Sequence, residues 1–496
     1  MRYIQPQDRA QLILMNSLDD LVPAAHPARI IDSVVEQMVA TNRELFVDDG
    51  SESDPGRPAY SPQTMLKLFL YGYLINCRSS RKLEAETKRN IELMWLLGTL
   101  SPDHWVIAAY RRVHGDQIKT AAKLFRQFLH AKGYIKAERV AIDGTKVKAN
   151  ARREVLTIER IDKRLDHLDH QLDEYLSKFA DNDLHDDLAE EVEAFDGDSV
   201  VNRHLMDKIV ALQKQIEQLT SHKEAIQESG KTYYSPTDPE APLMKTRDGK
   251  MPGYNVQSVV DDAHHMIADI EVLTDQEDHG ALPVMVESLH EELGVTPHEI
   301  LADAGYFVPD IIERVASRTN AECYIPVPER KEDPTAIQFQ YNLSTDTYTC
   351  SADKPLVLIQ KNRRKNNTVA NVYRGTQCTD CQLREHCTTS NKGRMLYRYH
   401  NQEWRDSFKQ RMGKPSSRAI RALRKGIVEH PFGTIKLIGG KLPLLLRGVA
   451  KVATEMNLYA TAYNLIRLLN CSSWDTINEQ IASYSWKLVT PKVSPI

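Results

Sequence analysis

Two runs of apolar residues between residues 158 and 228 constrain the fold of this chain most. In the first run, apolar side chains recur in alternating steps of three and four from Ile158 to Tyr175, and the second does the same from Leu205 to Leu219. This spacing is a heptad seam and predicts two long helices. The polar stretch "FDGDSVVN" separates them, so we expect an antiparallel helical hairpin over residues 158–228. We interpret it as a structural arm, with a dimer contact as the alternative.

The hairpin interrupts a chain whose pattern changes near Val140. Residues 1–135 are expected to form a helical N-terminal domain, with a Ser-Pro helix start at "SPQTMLKLF" and a break near His114 and Gly115. From Val140 onward, short apolar strands alternate with helices, which predicts a mixed α/β fold. The predicted core comprises residues 136–157, 229–330 and 400–470, with a cysteine-containing insert at 331–399 and a C-terminal tail at 471–496.

The charge distribution says more about partners than the net charge of −4 does. The stretch from Glu159 to Glu193 contains thirteen acidic residues and four Lys or Arg residues. The stretch from Arg411 to Lys451 contains ten Lys or Arg residues and one acidic residue. A basic block of that size can meet phosphate groups, while the acidic block hides it in the net charge. No apolar run reaches the roughly 18 residues needed to cross a bilayer, and the N-terminus does not resemble a secretory signal. We therefore expect a cytoplasmic protein with no membrane partner.

Two aspartates occupy equivalent places in separate strand patterns. Asp143 is expected to end the first strand, in "VAIDGT", and Asp303 to end the fourth, in "ILADAG". Each aspartate alone is most simply a turn former before glycine. Because ligand sites in open α/β proteins lie at the carboxyl ends of the strands, the pair together suggests a site. Gly144 is expected to leave room there for a phosphodiester and metal ions.

A third acid, Glu429, is the one carboxylate of the basic block. A helix-borne carboxylate among phosphate contacts is the sharper interpretation, and a lone ion pair is the plainer one. Three carboxylates without an activated Ser, Cys or His nucleophile suit Mg²⁺ or Mn²⁺ bound through oxygen. Two such ions stabilise the attacking and leaving oxygens of a phosphodiester displacement. The candidate phosphate contacts are the neighbouring cations Lys146, Lys148, Arg424, Lys425, Lys436 and Arg447.

Four of the seven cysteines cluster in the insert. Cys378, Cys381 and Cys387 lie close together, and Cys350 lies upstream. Four thiolates suit a tetrahedral structural Zn²⁺, whereas two disulfides do not suit a reducing cytoplasm. His386 is an alternative ligand. Such an insert has little apolar core of its own, so a bound Zn²⁺ is expected to stabilise it.

Several segments in this order resemble bacterial insertion-sequence transposases of the DDE type, in the branch with a cysteine-rich insert. The segments are "VAIDGTKVKANA", "GYNVQSVVD", "ILADAGYF", "CTDCQLREHC" and the stretch from "VEHPFGTIK" to "YNLIRLL". The resemblance implies an RNase H-like catalytic core in which Asp143, Asp303 and Glu429 hold the catalytic metals. Some relatives carry Tyr, Arg, Glu and Lys at fixed spacing around the third acid. Glu429 and Lys436 fit that spacing, but Ala422 and Lys425 stand at the tyrosine and arginine places.

The resemblance also implies an activity and partners. A bacterial transposase of this type, associated with the nucleoid when bound, recognises the terminal inverted repeats of double-stranded DNA, cleaves them with Mg²⁺ and joins them to target DNA. The helical N-terminal domain of residues 1–135 is the expected DNA-binding domain that reads those repeats. A homodimer is expected because two ends must be held together. The alternatives are a nuclease of the same fold without strand transfer and a domesticated DNA-binding protein.

Overall fold

The computed structural model describes residues 17–46, 59–152, 155–189, 198–230, 232–246, 249–328, 337–365, 368–439 and 443–491. The described residues before position 132 form helices. These are α1 (Leu18–Leu21), α2 (Pro27–Thr41), α3 (Arg43–Phe46), α4 (Pro62–Leu74), α5 (Ser80–Glu86), α6 (Ile91–Leu96), α7 (His104–Val113) and α8 (Gly115–Ala131). Ser61 caps α4 by accepting a hydrogen bond from the Thr64 amide, and Pro62 occupies the first turn, as the Ser-Pro signal predicts. The predicted break falls between α7 and α8.

The next part of the chain forms the main sheet and the long hairpin. In chain order the elements are β1 (Arg139–Lys148), α9 (Ile158–Ala189), α10 (Asp198–Ser229), β2 (Leu243–Thr246), β3 (Gly249–Asp261), β4 (Ile267–Leu273), α11 (Ala281–Leu293), β5 (Glu299–Leu301), a 3-10 turn (Ala304–Tyr306), α12 (Pro309–Thr319) and β6 (Glu322–Tyr324). Helices α9 and α10 pack together through buried side chains of the heptad seams, among them Ile161, Leu168 and Leu219. The two seams therefore meet.

The remaining described elements form a second sheet, one short helix between two of its strands and four closing helices. They are β7 (Phe339–Asn342), β8 (Thr347–Cys350), β9 (Pro355–Lys365), β10 (Thr368–Gly375), α13 (Arg384–Cys387), β11 (Met395–Tyr399), α14 (Gln402–Gly413), α15 (Pro415–Gly439), α16 (Val449–Cys471) and α17 (Trp474–Ala482). Strands β7 to β11 form a separate antiparallel sheet in which each strand lies beside the next one in the chain. After α17 the Trp486 side chain is buried and stacks on Phe128 of α8.

The main sheet is mixed, so the chain has an α/β fold. Its strand order is β2-β3-β1-β5-β6, and β4 pairs with β3. Strand β1 runs antiparallel to β3 and parallel to β5. Helix α16 packs against α4, α8 and β4, which joins the N-terminal helices and the sheet into one large core. None of the described helices combines the length and the apolar character that crossing a membrane requires.

Two sequence predictions about the sheet are corrected. Strand β1 does not end at Asp143 but continues to Lys148, because the long strand β3 pairs with it as far as Lys148 opposite Gly253. Asp303 follows the fifth strand of the chain rather than the fourth, because the short strand β2 pairs with the start of β3.

Candidate active site

Asp143 and Asp303 lie at one edge of the main sheet. The parallel pairing of β1 with β5 ends at Ala141 opposite Leu301, and each aspartate comes two residues later. Neighbouring parallel strands bring residues at the same register together. Asp303 also caps the 3-10 turn, where its Oδ1 accepts a hydrogen bond from the Gly305 amide at 2.7 Å. Two carboxylates 160 residues apart in the sequence are thereby brought together.

Arg424 of α15 contacts both carboxylates. Its Nη2 donates to Asp143 Oδ1 at 2.7 Å and lies 3.7 Å from Asp303 Oδ2. The side chains of Arg424 and Asp143 are 20% and 24% exposed, whereas that of Asp303 is 46% exposed. In the part of the chain that the structure describes, Arg424 Nε has no hydrogen-bond partner. The guanidinium therefore neutralises the two acids with only part of its hydrogen-bonding capacity.

The pKa of the Asp143 carboxyl is raised. Burial is the main cause, Arg424 opposes it, and the charges of Asp303 and Asp278 add to it. Burial disfavours the charged form, and nearby like charges do the same. The sheet edge is thus a place where negative charge accumulates and a cation is favoured.

Asp278 is a further acid of this edge that the sequence reasoning missed. It lies between β4 and α11, and its Oδ1 accepts hydrogen bonds from the side-chain amides of Asn255 and Gln257, both at 2.8 Å. The Tyr306 hydroxyl donates to Gln257 Oε1. The available signal was an acid between a strand pattern and a helix pattern, in "LTDQEDHG".

Gly144 has a different role from the predicted one. A Cβ atom at this position would overlap the side-chain amide of Gln257, which lies opposite Gly144 in the β1–β3 register. The space beside Gly144 is therefore filled by the amide network, and the interpretation that it leaves room for a phosphodiester and metals is wrong.

Glu429 lies on α15 but does not contact the two aspartates in this arrangement. Its side chain is 66% exposed, and its described ion pair is with Lys425 at 3.9 Å. Arg424 and Glu429 are five residues apart, which places them about 140° apart around the helix axis. With Arg424 directed at Asp143, Glu429 points elsewhere.

The predicted phosphate contacts differ in their surroundings. Lys146 Nζ donates to the Gln276 carbonyl at 2.7 Å, and Arg447 Nε donates to the Asn150 carbonyl at 2.9 Å. Lys148 and Lys425 are exposed. Lys436 belongs to α15, but its side chain lies outside the described residues.

The four clustered cysteines line one small cavity beside the second sheet. Its volume is about 20 Å³, and Cys350, Cys378, Cys381 and Cys387 all border it as free thiols. Burial raises the pKa of the Cys387 thiol, Arg394 opposes this, and the other three cysteines add to it. A Cβ atom on Gly375 would overlap Cys378 Sγ, so the strand passes close to the cluster.

Within the described residues, neither the acids nor the cysteines are arranged as a complete set of metal ligands. Across the described ranges, no three His, Cys, Asp or Glu side chains are arranged so that they could hold a metal ion. The structure thus brings together Asp143 with Asp303 and groups the four cysteines around one cavity, but it does not assemble either complete ligand set.

Comparisons with protein families identify two matching regions. Residues 16–113 match a transposase domain known as DUF772, and residues 349–469 match a transposase DDE domain. The first match covers the helices up to α7, and the second covers the cysteine cluster, α15 and Glu429. Comparisons with curated proteins and with solved structures found no match.

Proposed function

Because this chain belongs to the insertion-sequence transposases of the DDE type, we propose that it binds the terminal inverted repeats of its element and cuts and joins DNA through Asp143, Asp303 and Glu429. The catalytic core is proposed to be RNase H-like. The mixed sheet, with Asp143 on its central strand β1 and Asp303 directly after the neighbouring strand β5, supports that fold.

One observation carries the proposal. Asp143 and Asp303 approach a single cationic group, the Arg424 guanidinium, from adjacent strands. Carboxylate oxygens in such a pair are the ligands that Mg²⁺ and Mn²⁺ prefer. The residues therefore fit a catalytic metal, held by Asp143 and Asp303 with Glu429 as the third acid. When bound, the metal supplies charge stabilisation to the attacking and leaving oxygens of the phosphodiester.

Recruiting Glu429 requires a movement of α15. Arg424 and Glu429 cannot both face the aspartates, since they are about 140° apart on the helix. We expect α15 to turn or shift when DNA and metal bind, a type of helix movement common in switching proteins. Arg424 would then leave Asp143 and become available to a DNA phosphate.

The chain's own residues have distinct roles in the proposed reaction. Burial raises the pKa of Asp143, and the nearby cation of Arg424 opposes that shift, so a cation at this position favours the charged carboxylate. Exposed Lys148 and Lys425 are suited to hold the DNA backbone, and the basic content of α15 extends that surface. Double-stranded DNA is thus the proposed partner, with a homodimer holding two ends.

The DNA substrate can be taken from the element itself. If inverted repeats flank the gene, a labelled end fragment should be bound by the purified chain and nicked when Mg²⁺ is added. Asp143→Asn, Asp303→Asn and Glu429→Gln should abolish nicking and leave end binding within about twofold of wild type, whereas Asp475→Asn, an exposed acid of α17, should cut normally. Retained cleavage in one acid variant removes that residue from the triad. End binding without any cleavage would favour a domesticated DNA-binding protein.

The cysteine cluster is proposed to hold a structural Zn²⁺. Four free thiols around one cavity support this proposal. Metal analysis of the purified chain should find about one zinc per chain, and Cys378→Ser with Cys381→Ser should remove it. Cys471→Ser, which changes an exposed cysteine outside the cluster, is the control. A zinc-free wild type that folds normally contradicts the proposal.

A further inference from the structure

Asp278 is an acid near Asp143 that does not belong to the proposed triad. Its Oδ1 receives two amide hydrogen bonds, from Asn255 Nδ2 and Gln257 Nε2, each at 2.8 Å. Gln257 Nε2 also donates to Asn255 Oδ1 at 3.0 Å. Both amide residues belong to β3, so Asp278 ties the segment before α11 to the sheet.

The same network reaches the turn that carries Asp303. Tyr306 ends the 3-10 turn that Asp303 begins, and its buried hydroxyl donates to Gln257 Oε1. Burial raises the pKa of Tyr306 well above its usual range, and the charges of Asp278 and Asp143 add to this, so the hydroxyl remains a donor. Asp278, Gln257 and Tyr306 form a continuous chain of hydrogen bonds to the Asp303 turn.

The second oxygen of Asp278 faces the catalytic edge, which is the edge of the main sheet where Asp143 and Asp303 lie. A point one bond from the Gly305 Cα, where a Cβ would lie, is 2.9 Å from Asp303 Oδ1 and 3.6 Å from Asp278 Oδ2. The two carboxylates thus flank the same glycine. A carboxylate charge close to a divalent cation contributes to its attraction even without direct coordination.

We propose that Asp278 is a positioning residue of this catalytic centre, which fixes the Asp303 turn through Gln257 and Tyr306 and adds a third negative charge for cation binding. The inference rests on the proposed function, since it assumes that Asp143 and Asp303 bind the metal. It assigns Asp278 no contact with the DNA or the metal.

The charge of Asp278 is tested by measuring Mn²⁺ binding to the full chain. Binding is monitored through the electron paramagnetic resonance signal of free Mn²⁺. Asp278→Asn keeps an oxygen acceptor and removes the charge, so Mn²⁺ affinity should fall about tenfold. The melting temperature in EDTA should stay within about 2 °C. Asp275→Asn, an exposed acid three residues earlier, should bind Mn²⁺ as wild type does.

The metal dependence of end cleavage separates positioning from general damage. In Asp278→Asn the Mn²⁺ concentration for half-maximal rate should rise, and the rate at saturating Mn²⁺ should return to within about threefold of wild type. A variant that is merely misfolded would lose rate at every Mn²⁺ concentration. That result, with a lowered melting temperature, would overturn the charge role.

Tyr306→Phe tests the positioning without changing any charge. Loss of the hydroxyl should speed hydrogen exchange of the amides at residues 305–307 at least fivefold, with less than twofold change in Mn²⁺ affinity. Unchanged exchange would mean that the network does not fix the turn, and the inference would be wrong.

Asp143→Asn makes the two proposals distinguishable. If Asp143→Asn weakens Mn²⁺ binding and Asp278→Asn does not, the inference about Asp278 fails alone. If neither variant changes Mn²⁺ binding, the proposed metal site itself is wrong.

Discussion

Two acidic clusters in this molecule are each neutralised by an arginine from a helix outside the main sheet, but they use it differently. At the catalytic edge, Arg424 contacts Asp143 and Asp303. At the second cluster, Arg126 of α8 binds Glu292 of α11 through Nε at 2.6 Å and Asn457 of α16 through Nη1 at 2.9 Å. The structure buries one arginine in a fixed set of contacts and leaves the other partly free.

The two clusters differ in how exposed their side chains are and in how many hydrogen bonds their arginine donates. The Arg126 side chain is 5% exposed and Glu292 12% exposed, whereas Asp303 at the catalytic edge is 46% exposed. The contacts of Arg126 join three helices, so that pair holds the N-terminal helices against the core. A partly exposed acid pair with an incompletely bonded arginine is suited to exchange one cation for another. The comparison thus distinguishes a structural ion cluster from a functional one.

Removal of Arg126 should give the largest loss of stability. Arg126→Met leaves Glu292 buried without its main partner, and breaking a buried pair in this way costs about 3–5 kcal/mol. Urea denaturation should show the midpoint falling markedly. Lys119→Met, a partly exposed lysine on the same helix paired with Asp116, is the control and should change stability by less than about 1 kcal/mol. An Arg126→Met chain as stable as wild type would erase the distinction between the clusters.

The structural cluster also predicts a pH dependence. Asp269 of β4 is buried, and burial, with Glu271 and Glu292 nearby, raises its pKa to about 8. The folded chain therefore keeps a proton that the unfolded chain releases, so this group makes stability fall as pH rises from about 4 to about 8. The slope for one proton is at most about 1.4 kcal/mol per pH unit. Asp269→Asn should flatten the fall, measured as the melting temperature between pH 5 and 9. An unchanged slope would show that Asp269 does not hold the proton.

Packing at the catalytic edge can be tested at Gly144. Gly144→Ala forces the Gln257 amide out of its network and should destabilise the chain by about 1–3 kcal/mol. Gly426→Ala is the matched control, because open space surrounds that position of α15 and alanine favours helix. Thermal unfolding of the two variants should therefore move in opposite directions. Equal stability of Gly144→Ala and wild type would mean that the amide network is loose.

Local patterns in the sequence predicted several of the observed elements, including the hairpin helices, the break at His114 and the strands that position Asp143 and Asp303. These signals depend on residues that are close in the chain, such as heptad spacing and the Ser-Pro start. The grouping of the four cysteines was also within reach, because they span fewer than 40 residues.

Long-range side-chain partners were beyond the sequence. Nothing local marks Arg424 as the partner of Asp143 or Arg126 as the partner of Glu292, because these contacts depend on how α15 and α8 dock. Asp278 was missed for the same reason: its partners Asn255 and Gln257 belong to a strand more than 20 residues earlier. The direction of Glu429 depends on the rotation of α15 about its axis, which periodicity alone leaves open.

Arg424→Ala should have the smallest effect on stability and the most informative dependence on metal. In EDTA the variant should lose about 1 kcal/mol, because Asp143 and Asp303 remain partly solvated. Added Mn²⁺ should then raise its melting temperature more than that of wild type, since no guanidinium competes for the two carboxylates. Lys425→Ala, which removes the adjacent and 78% exposed cation, should respond to Mn²⁺ as wild type does. If Mn²⁺ stabilises Arg424→Ala less than wild type, Arg424 supports the metal site rather than occupying it, and the contrast with Arg126 would have to be redrawn.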